Sequence, residues 1–454
     1  MHRKIRDIIT NTIVLIVFLI SLGPSVGLAS PKIETKRIVL NNGITLLVVE
    51  THTLPMVNIS VAVKTGAIYD PPGKGGIANL TATLLDEGTK TRTSRQIAEE
   101  IDFIGGRLST SGGTDYSSAS LVVLKKDINT GLNLLSDILL NPAFPEDEVE
   151  RKKKETLAGI MSDKDDPGSI ASKAFYKAVF AGHPYGAPAE GDEESVVKIS
   201  REDVVSFYER YYKPNNAIMV VVGDVDLKEA TSLIETYFRP WKKGEIQFPD
   251  IPPVEKLKKR DSILIDKNIT QANILLGHTG LSRDNPDFYA VHVMNYILGG
   301  GGFSSRLTKE IRDNKGLAYS VYSRFDINKY PGAFVVEIQT KNESAREAID
   351  GILSELKRIR EERVSDKELK EAQDYLTGSF PLKLDTNAKI GSYLVFIEYY
   401  NLGLDYLDQY AKYIETVTKD DIIRVAQKYI DAENFAIVAV AKQEKAGLME
   451  KKQP

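Results

Sequence analysis

The chain repeats itself at half its length. Arg201-Glu202-Asp203-Val204-Val205 opens a segment that passes Tyr211 and Asn216 and ends in Ala217-Ile218-Met219-Val220-Val221-Val222. Lys419-Asp420-Asp421-Ile422-Ile423 opens a second, which passes Tyr429 and Asn434 and ends in Ala436-Ile437-Val438-Ala439-Val440. Asp203 and Asp421, Tyr211 and Tyr429, and Asn216 and Asn434 all keep an offset of 218 residues. Each copy reads as an amphipathic helix, a turn and a buried strand. Two halves with the same ending predict two similar domains, and 454 residues are too many for one ordinary core. Pro249, Pro252 and Pro253 mark a stiff connection between them. The predicted domains are residues 30–240 and 258–454, joined by a proline-rich linker over 241–257.

Both halves open with strands. Lys36 to Val49 reads as two strands around an Asn42-Gly43 hairpin turn. Val57 to Lys64 alternates like a half-buried strand, and Ser262–Asp266 and Ala272–His278 open the second half in the same way. Helical periodicity covers Asn79–Asp86, Ser94–Ile104, Lys125–Leu140 and Asp147–Lys164, then Ala345–Arg363 and Asp366–Thr377. The predicted fold class is α+β: in each domain a mixed or antiparallel sheet with helices packed on one side.

Arg3, Lys4 and Arg6 precede an apolar run from Ile13 to Leu22, and Gly27-Leu28-Ala29 offers small residues for cleavage. That is the pattern of a secretory signal over residues 1–29, its apolar run short for a membrane span, with an uncleaved anchor as the alternative. The expected address is the bacterial envelope, chiefly the periplasm. Cysteine is absent, which excludes a disulfide framework and any Cys-based chemistry. A net charge of −4 argues against nucleic acid as a partner. Gly23-Pro24-Ser25-Val26-Gly27 matches a nucleophile-elbow pattern, but it lies in the signal segment without the flanking strand and helix the motif needs.

The stretch Gly75-Gly76-Ile77-Ala78-Asn79-Leu80-Thr81-Ala82-Thr83, followed by Leu85-Asp86-Glu87-Gly88-Thr89, resembles the active-site helix of the pitrilysin/insulinase zinc peptidases. That family reads H-x-x-E-H here, two zinc histidines and a general base on one helix face. Asn79 and Thr83 stand at the histidine positions and Ala82 at the glutamate. A later Glu150-Arg151 block matches the family's third-ligand helix and places Gly159 at the ligand. None of the four residues is a useful zinc ligand or base. No catalytic residue, metal or cofactor is therefore expected on this chain, and zinc is expected only in a partner.

The resemblance extends over most of residues 35–445. Gly105-Gly106-Arg107-Leu108 looks like the family's substrate-bordering strand, and His183-Pro184-Tyr185-Gly186 like its H-P-Y-G loop. Leu298-Gly299-Gly300-Gly301-Gly302-Phe303-Ser304-Ser305-Arg306-Leu307, then Glu310-Ile311-Arg312 and Lys315-Gly316-Leu317-Ala318-Tyr319, looks like the glycine-rich block of its second domain. The glycines lack G-K-[ST], so a tight turn explains them better than a phosphate site. By residue type alone, Arg312 would pair with Glu310 or Asp313 and Tyr319 would sit in the core. The resemblance implies instead that Arg312 and Tyr319, with Gly105 and Gly106, contact substrate. His52, His183, His278 and His292 are scattered and read as structural.

The family includes heterodimers in which one subunit keeps zinc and the other has lost it. The resemblance thus implies a non-catalytic subunit that shapes a chamber and grips extended peptides for a zinc-bearing homologue. The alternative from another class is a stand-alone periplasmic peptide-binding or scaffold protein, acting as a homodimer.

Overall fold

Asn42 and Gly43 turn the chain where the sequence predicts. Gly43 takes φ +94°, and the strands β1 (Thr35–Val39) and β2 (Thr45–Glu50) pair antiparallel around it. A computed structural model describes residues 33–448. The predicted signal segment and its Gly23–Gly27 pattern lie outside the described residues. Residues 34–448 form one compact unit.

Two mixed sheets organise that unit. The first contains β3 (Met56–Val63), β4 (Arg107–Gly112), β5 (Ser117–Leu124) and β6 (Ala217–Gly223), in the order β1-β2-β6-β3-β5-β4. The second contains β7 (Asp261–Asp266), β8 (Gln271–Thr279), β9 (Ala318–Phe325), β10 (Ala333–Lys341) and β11 (Ala436–Ala441), in the order β7-β11-β8-β10-β9. The repeat is visible in the pairing. β6 runs parallel to β2 and antiparallel to β3, and β11 runs parallel to β7 and antiparallel to β8. Residues 241–257 carry no helix or strand, yet Trp241 is buried and donates its indole N–H to the Tyr212 carbonyl at 3.1 Å.

In chain order the helices of the first half are α1 (Ile77–Thr83), α2 (Ser94–Phe103), α3 (Ile128–Leu140), α4 (Glu146–Asp163), α5 (Pro167–Val179), α6 (Glu193–Val197), α7 (Arg201–Tyr211) and α8 (Leu227–Phe238). The second half adds α9 (Phe288–Asn295), α10 (Ala345–Glu361), α11 (Asp366–Ser379), α12 (Asn387–Tyr399), α13 (Tyr406–Glu415), α14 (Lys419–Tyr429) and α15 (Gln443–Ala446). Local chemistry starts the repeated helices. Ser200 and Asp203 form a capping box on α7, and Thr418 and Asp421 form the same box on α14. Each cap is worth about 1 kcal/mol.

The core alternates as strands require. Val57, Ile59, Val61 and Val63 of β3 join Met219 and Val221 of β6 in one apolar cluster. Burying each such side chain stabilises by roughly 1.5–3 kcal/mol. The intervening residues on β3, Asn58 and Ser60, face the other way and are buried too. What covers them comes from the far half of the chain: α12 packs on β3 and β6. Reciprocally, α5 of the first half packs on β8 and β11 of the second sheet. Helices therefore lie on the second face of each sheet as well, and there they are supplied by the opposite half.

Candidate functional site

The degenerate motif lies on α1, held from below its first turn. Asp70 accepts hydrogen bonds from the backbone N–H of Gly76 at 2.6 Å and of Ala78 at 3.0 Å. Burial lifts the Asp70 carboxyl to about 7, against the pull of those two donors. Gly76 sits at φ +93°, and a Cβ there would lie 2.4 Å from the Glu190 carbonyl oxygen. This explains the surviving glycine frame on steric grounds alone.

The α1 residues that the resemblance sets at the zinc and base positions are engaged in helix and sheet packing. Asn79 donates its amide to the Gly112 carbonyl at 3.1 Å. Thr83 donates its hydroxyl back to the Asn79 carbonyl at 3.0 Å. Ala82 is fully buried. A Cβ on Gly112 would stand 2.4 Å from Asn79 Cα, so β4 lies backbone to backbone on α1. Gly159, on α4, is exposed with open space around a notional Cβ. An amide, a methyl, a hydroxyl and a glycine do not fit zinc. Among the described residues, no group of three or more His, Cys, Asp or Glu side chains is placed to hold a metal ion.

One carboxylate beside α1, Glu87, is paired with two cations. Glu87 binds Lys152 at 2.6 Å and Arg151 at 2.5 Å, tying α4 to the turn after α1. Burial opposes ionising Glu87, but the two cations outweigh it and hold its carboxyl below the usual range.

The strand β4 closes one edge of its sheet, so its outer backbone groups face no strand. Gly105 and Gly106 make the entry to it. Gly105 adopts φ +61°, and a Cβ on Gly106 would lie 2.6 Å from Ile101 Cδ1. Both glycines thus shape the start of a free edge.

The second set of predicted residues meets on the edge strand of the other sheet. Two π-helical segments, Tyr296–Gly300 and Thr308–Asn314, flank the glycine-rich turn, and Arg312 lies in the second. Such segments are rare and concentrate at functional sites. The pairing of β9 with β10 slips between Gln339 and Thr340, leaving Tyr319 without an opposite residue. This bulge turns Tyr319 outward, where it is 86% exposed. The Arg312 guanidinium lies 5.2 Å from the Tyr319 ring centre and 4.7 Å from that of Phe303, itself 78% exposed. Residue type alone predicted otherwise. Glu310 pairs with Lys315 at 3.2 Å rather than with Arg312, and Tyr319 is outside the core. Phe303 was legible only as a large apolar residue inside a turn.

The glycine-rich block behaves as a tight, closely packed turn. A Cβ on Gly299 would stand 2.6 Å from the Ser323 backbone nitrogen. Arg306, in the same block, is buried and bonds Glu368 at 2.6 Å.

The H-P-Y-G loop and the histidines are structural. His183 Nδ1 accepts from the Tyr185 backbone at 3.1 Å, and burial pushes its pKa down, so it is neutral. Tyr185 donates its hydroxyl to Asp115 at 2.6 Å. His278 bonds the Thr279 carbonyl and the Asp431 backbone N–H, both at 2.9 Å. Exposed His52 bonds Glu50 at 2.8 Å and Asp224.

A pair of similar mixed sheets, a helix with a peptidase frame and an exposed Arg–Tyr pair define a two-domain peptidase-like protein. Residues 45–193 match the insulinase (peptidase M16) family, and residues 198–376 match the peptidase M16 inactive domain. An uncharacterized zinc protease of Mycobacterium leprae is 30% identical over 342 residues, covering 74% of this chain and 77% of that protein. The non-peptidase homolog YmxG of Helicobacter pylori is 26% identical, covering 87% and 92%. The crystal structure of a peptidase M16 inactive domain from Pseudomonas fluorescens superposes with a TM-score of 0.85 at 27% identity, covering 93% of this chain and all of that one. The chain belongs to the insulinase (M16) peptidase family, as a homologue whose zinc positions hold no zinc ligands.

Proposed function

We propose that this chain is a non-catalytic subunit of the bacterial envelope that shapes a chamber and grips extended peptide for a zinc-bearing M16 partner. One observation carries the reading: the two sites have decayed unequally. The zinc positions hold Asn79, Ala82, Thr83 and Gly159, whereas Arg312 and Tyr319 are kept together and Tyr319 is presented to solvent. A guanidinium and a phenol donate to carbonyl or carboxylate oxygens, the groups an extended peptide offers. The free edge of β4 offers backbone donors and acceptors for strand addition. Neither set of groups needs a metal.

The experiment is a peptidase assay on the purified chain with zinc, alone and mixed with a zinc-bearing homologue from the same organism. Activity that appears or rises only in the mixture supports a subunit role. If the two proteins elute separately and the mixture cleaves no faster than the homologue alone, the subunit reading fails. The same β4 edge and Arg312 pair would then serve a stand-alone peptide-binding protein.

A further inference from the structure

Asp86 stands in the turn after α1, three residues beyond Thr83. Its carboxylate accepts the Thr110 hydroxyl at 3.2 Å. Among the described residues it forms no ion pair. Its neighbour Glu87 holds both nearby cations, Arg151 and Lys152. Asp86 is thus partly exposed and in no close ion pair, with Lys152 acting on it only from a distance. Burial already pushes its carboxyl above the usual range, so a cation placed beside it would relieve an existing cost.

Position gives this carboxylate a meaning. Thr110 belongs to β4, the edge strand. Side chains along β4 alternate between two faces. On one face, exposed Arg107 is followed by Ser109, which bonds Ser120 at 3.0 Å, and Ser111, which bonds Ser118 at 2.8 Å, a hydroxyl surface with a cation at its start. On the other, Thr110 reaches Asp86 and Gly112 lies on Asn79. A peptide added beside β4 must send alternate side chains toward the same two faces. One set meets hydroxyls and the other passes the turn that carries Asp86.

We propose that Asp86 is a specificity residue that selects a cationic side chain, Lys or Arg, on the α1-facing side of a peptide bound along β4. This rests on the strand-addition reading of that edge. Asp86 takes the role through position and charge, with Thr110 orienting its carboxylate.

The test uses the full chain and fluorescence anisotropy with extended Ser/Ala-rich decapeptides. The central residue is lysine, its uncharged analogue norleucine, or glutamate. The lysine peptide is expected to bind roughly two- to fivefold more tightly than the norleucine peptide, the range of a partly screened ion pair. Asp86→Asn is expected to erase that difference by weakening the lysine peptide to the level of the norleucine peptide. Thr110→Val is expected to reduce the preference without abolishing it. Equal affinity for lysine and norleucine peptides on the unmodified chain overturns the proposal, even if Asp86→Asn fails to fold. A lysine preference that survives in a folded Asp86→Asn protein overturns it as well. Binding without charge preference spares the strand-addition reading. Absence of binding by every peptide overturns that reading and this one together.

Discussion

The Tyr185 hydroxyl donates to the Asp115 carboxylate at 2.6 Å, and through that carboxylate the two halves of the chain meet. Asp115 also accepts the Lys329 backbone N–H at 2.8 Å, and its carbonyl accepts the Tyr399 hydroxyl at 3.1 Å. One buried residue beside β4 therefore holds the H-P-Y-G loop, the β9–β10 connection and the end of α12. Asp115→Asn turns one accepting oxygen into a donor, which must face either the Lys329 N–H or the Tyr185 O–H. A buried unmatched donor costs about 1–3 kcal/mol. The thermal midpoint is expected to fall by several degrees, and an unchanged midpoint would show that the hub is dispensable.

Gly391 of α12 faces Asn58 and Ser60 across the reciprocal contact. A Cβ there would stand 2.7 Å from both Asn58 Oδ1 and Ser60 Oγ. Alanine normally improves a helix by about 1 kcal/mol over glycine. At position 391 the overlap should win, because overpacking costs roughly 1–3 kcal/mol. Gly391→Ala is expected to destabilise in urea titration, and a higher midpoint would refute the contact.

The crossed helices also predict how the protein responds to nicking. Residues 245–250 are largely exposed and carry no helix or strand. A single protease cut there should leave α5 on the second sheet and α12 on the first. Size-exclusion chromatography should show one particle of unchanged size that separates into two fragments only in denaturant. Separation under native conditions would contradict the exchange.

Glu368 caps α11 through Ser365 and pairs with buried Arg306. Burial opposes its ionisation, but the Arg306 and Ser365 donors outweigh this and hold the carboxyl at about 2. A carboxyl depressed in the folded state contributes stability above its unfolded value of about 4.3 and loses it as pH falls toward the folded value. Glu368→Gln is expected to cost about 2 kcal/mol at neutral pH, less than for a fully buried pair because Glu368 is part-exposed. It should also flatten the loss of stability between pH 4 and pH 2. A parallel pH profile for the two proteins would rule the pair out as a source of acid sensitivity.

Restoring the motif should not restore a peptidase. Ala82 has no exposed surface, so Ala82→Glu forces a carboxylate into a packed helix–sheet contact. The expected cost is several kcal/mol, since an unpaired buried charge is among the most destabilising changes. Loss of soluble, cooperatively melting protein is the anticipated result. A folded Ala82→Glu variant would show the site to be more open than its packing indicates.

Tyr319→Phe and Arg312→Ala test the second site. Both side chains lie outside the core, and an exposed cation–π stack is worth about 0.5–1 kcal/mol. Stability should change little, while peptide capture or partner-stimulated cleavage should fall roughly tenfold on losing a charged donor. Unchanged binding by both variants would remove this pair from the proposed function.

The sequence by itself determined the local and the chemical. The 218-residue offset announced two halves, the capping residues Ser200 and Thr418 started equivalent helices, and Gly43 fixed the first hairpin. That Asn79, Thr83 and Gly159 stand where zinc ligands would be came from the family resemblance, and their side-chain chemistry then said that they cannot bind zinc. Only the tertiary structure decided what crosses between the halves. The periodicity reading passed over α5 and α12, the two exchanged helices. Asp166 and Pro167 signalled the start of α5, but α12 is apolar on several sides, and a helix packed among neighbours shows no single stripe. The bulge that exposes Tyr319 depends on the register of β9 against β10, and the Asp115 hub joins residues more than 200 positions apart. Such contacts arise from packing between distant segments, which no local pattern encodes.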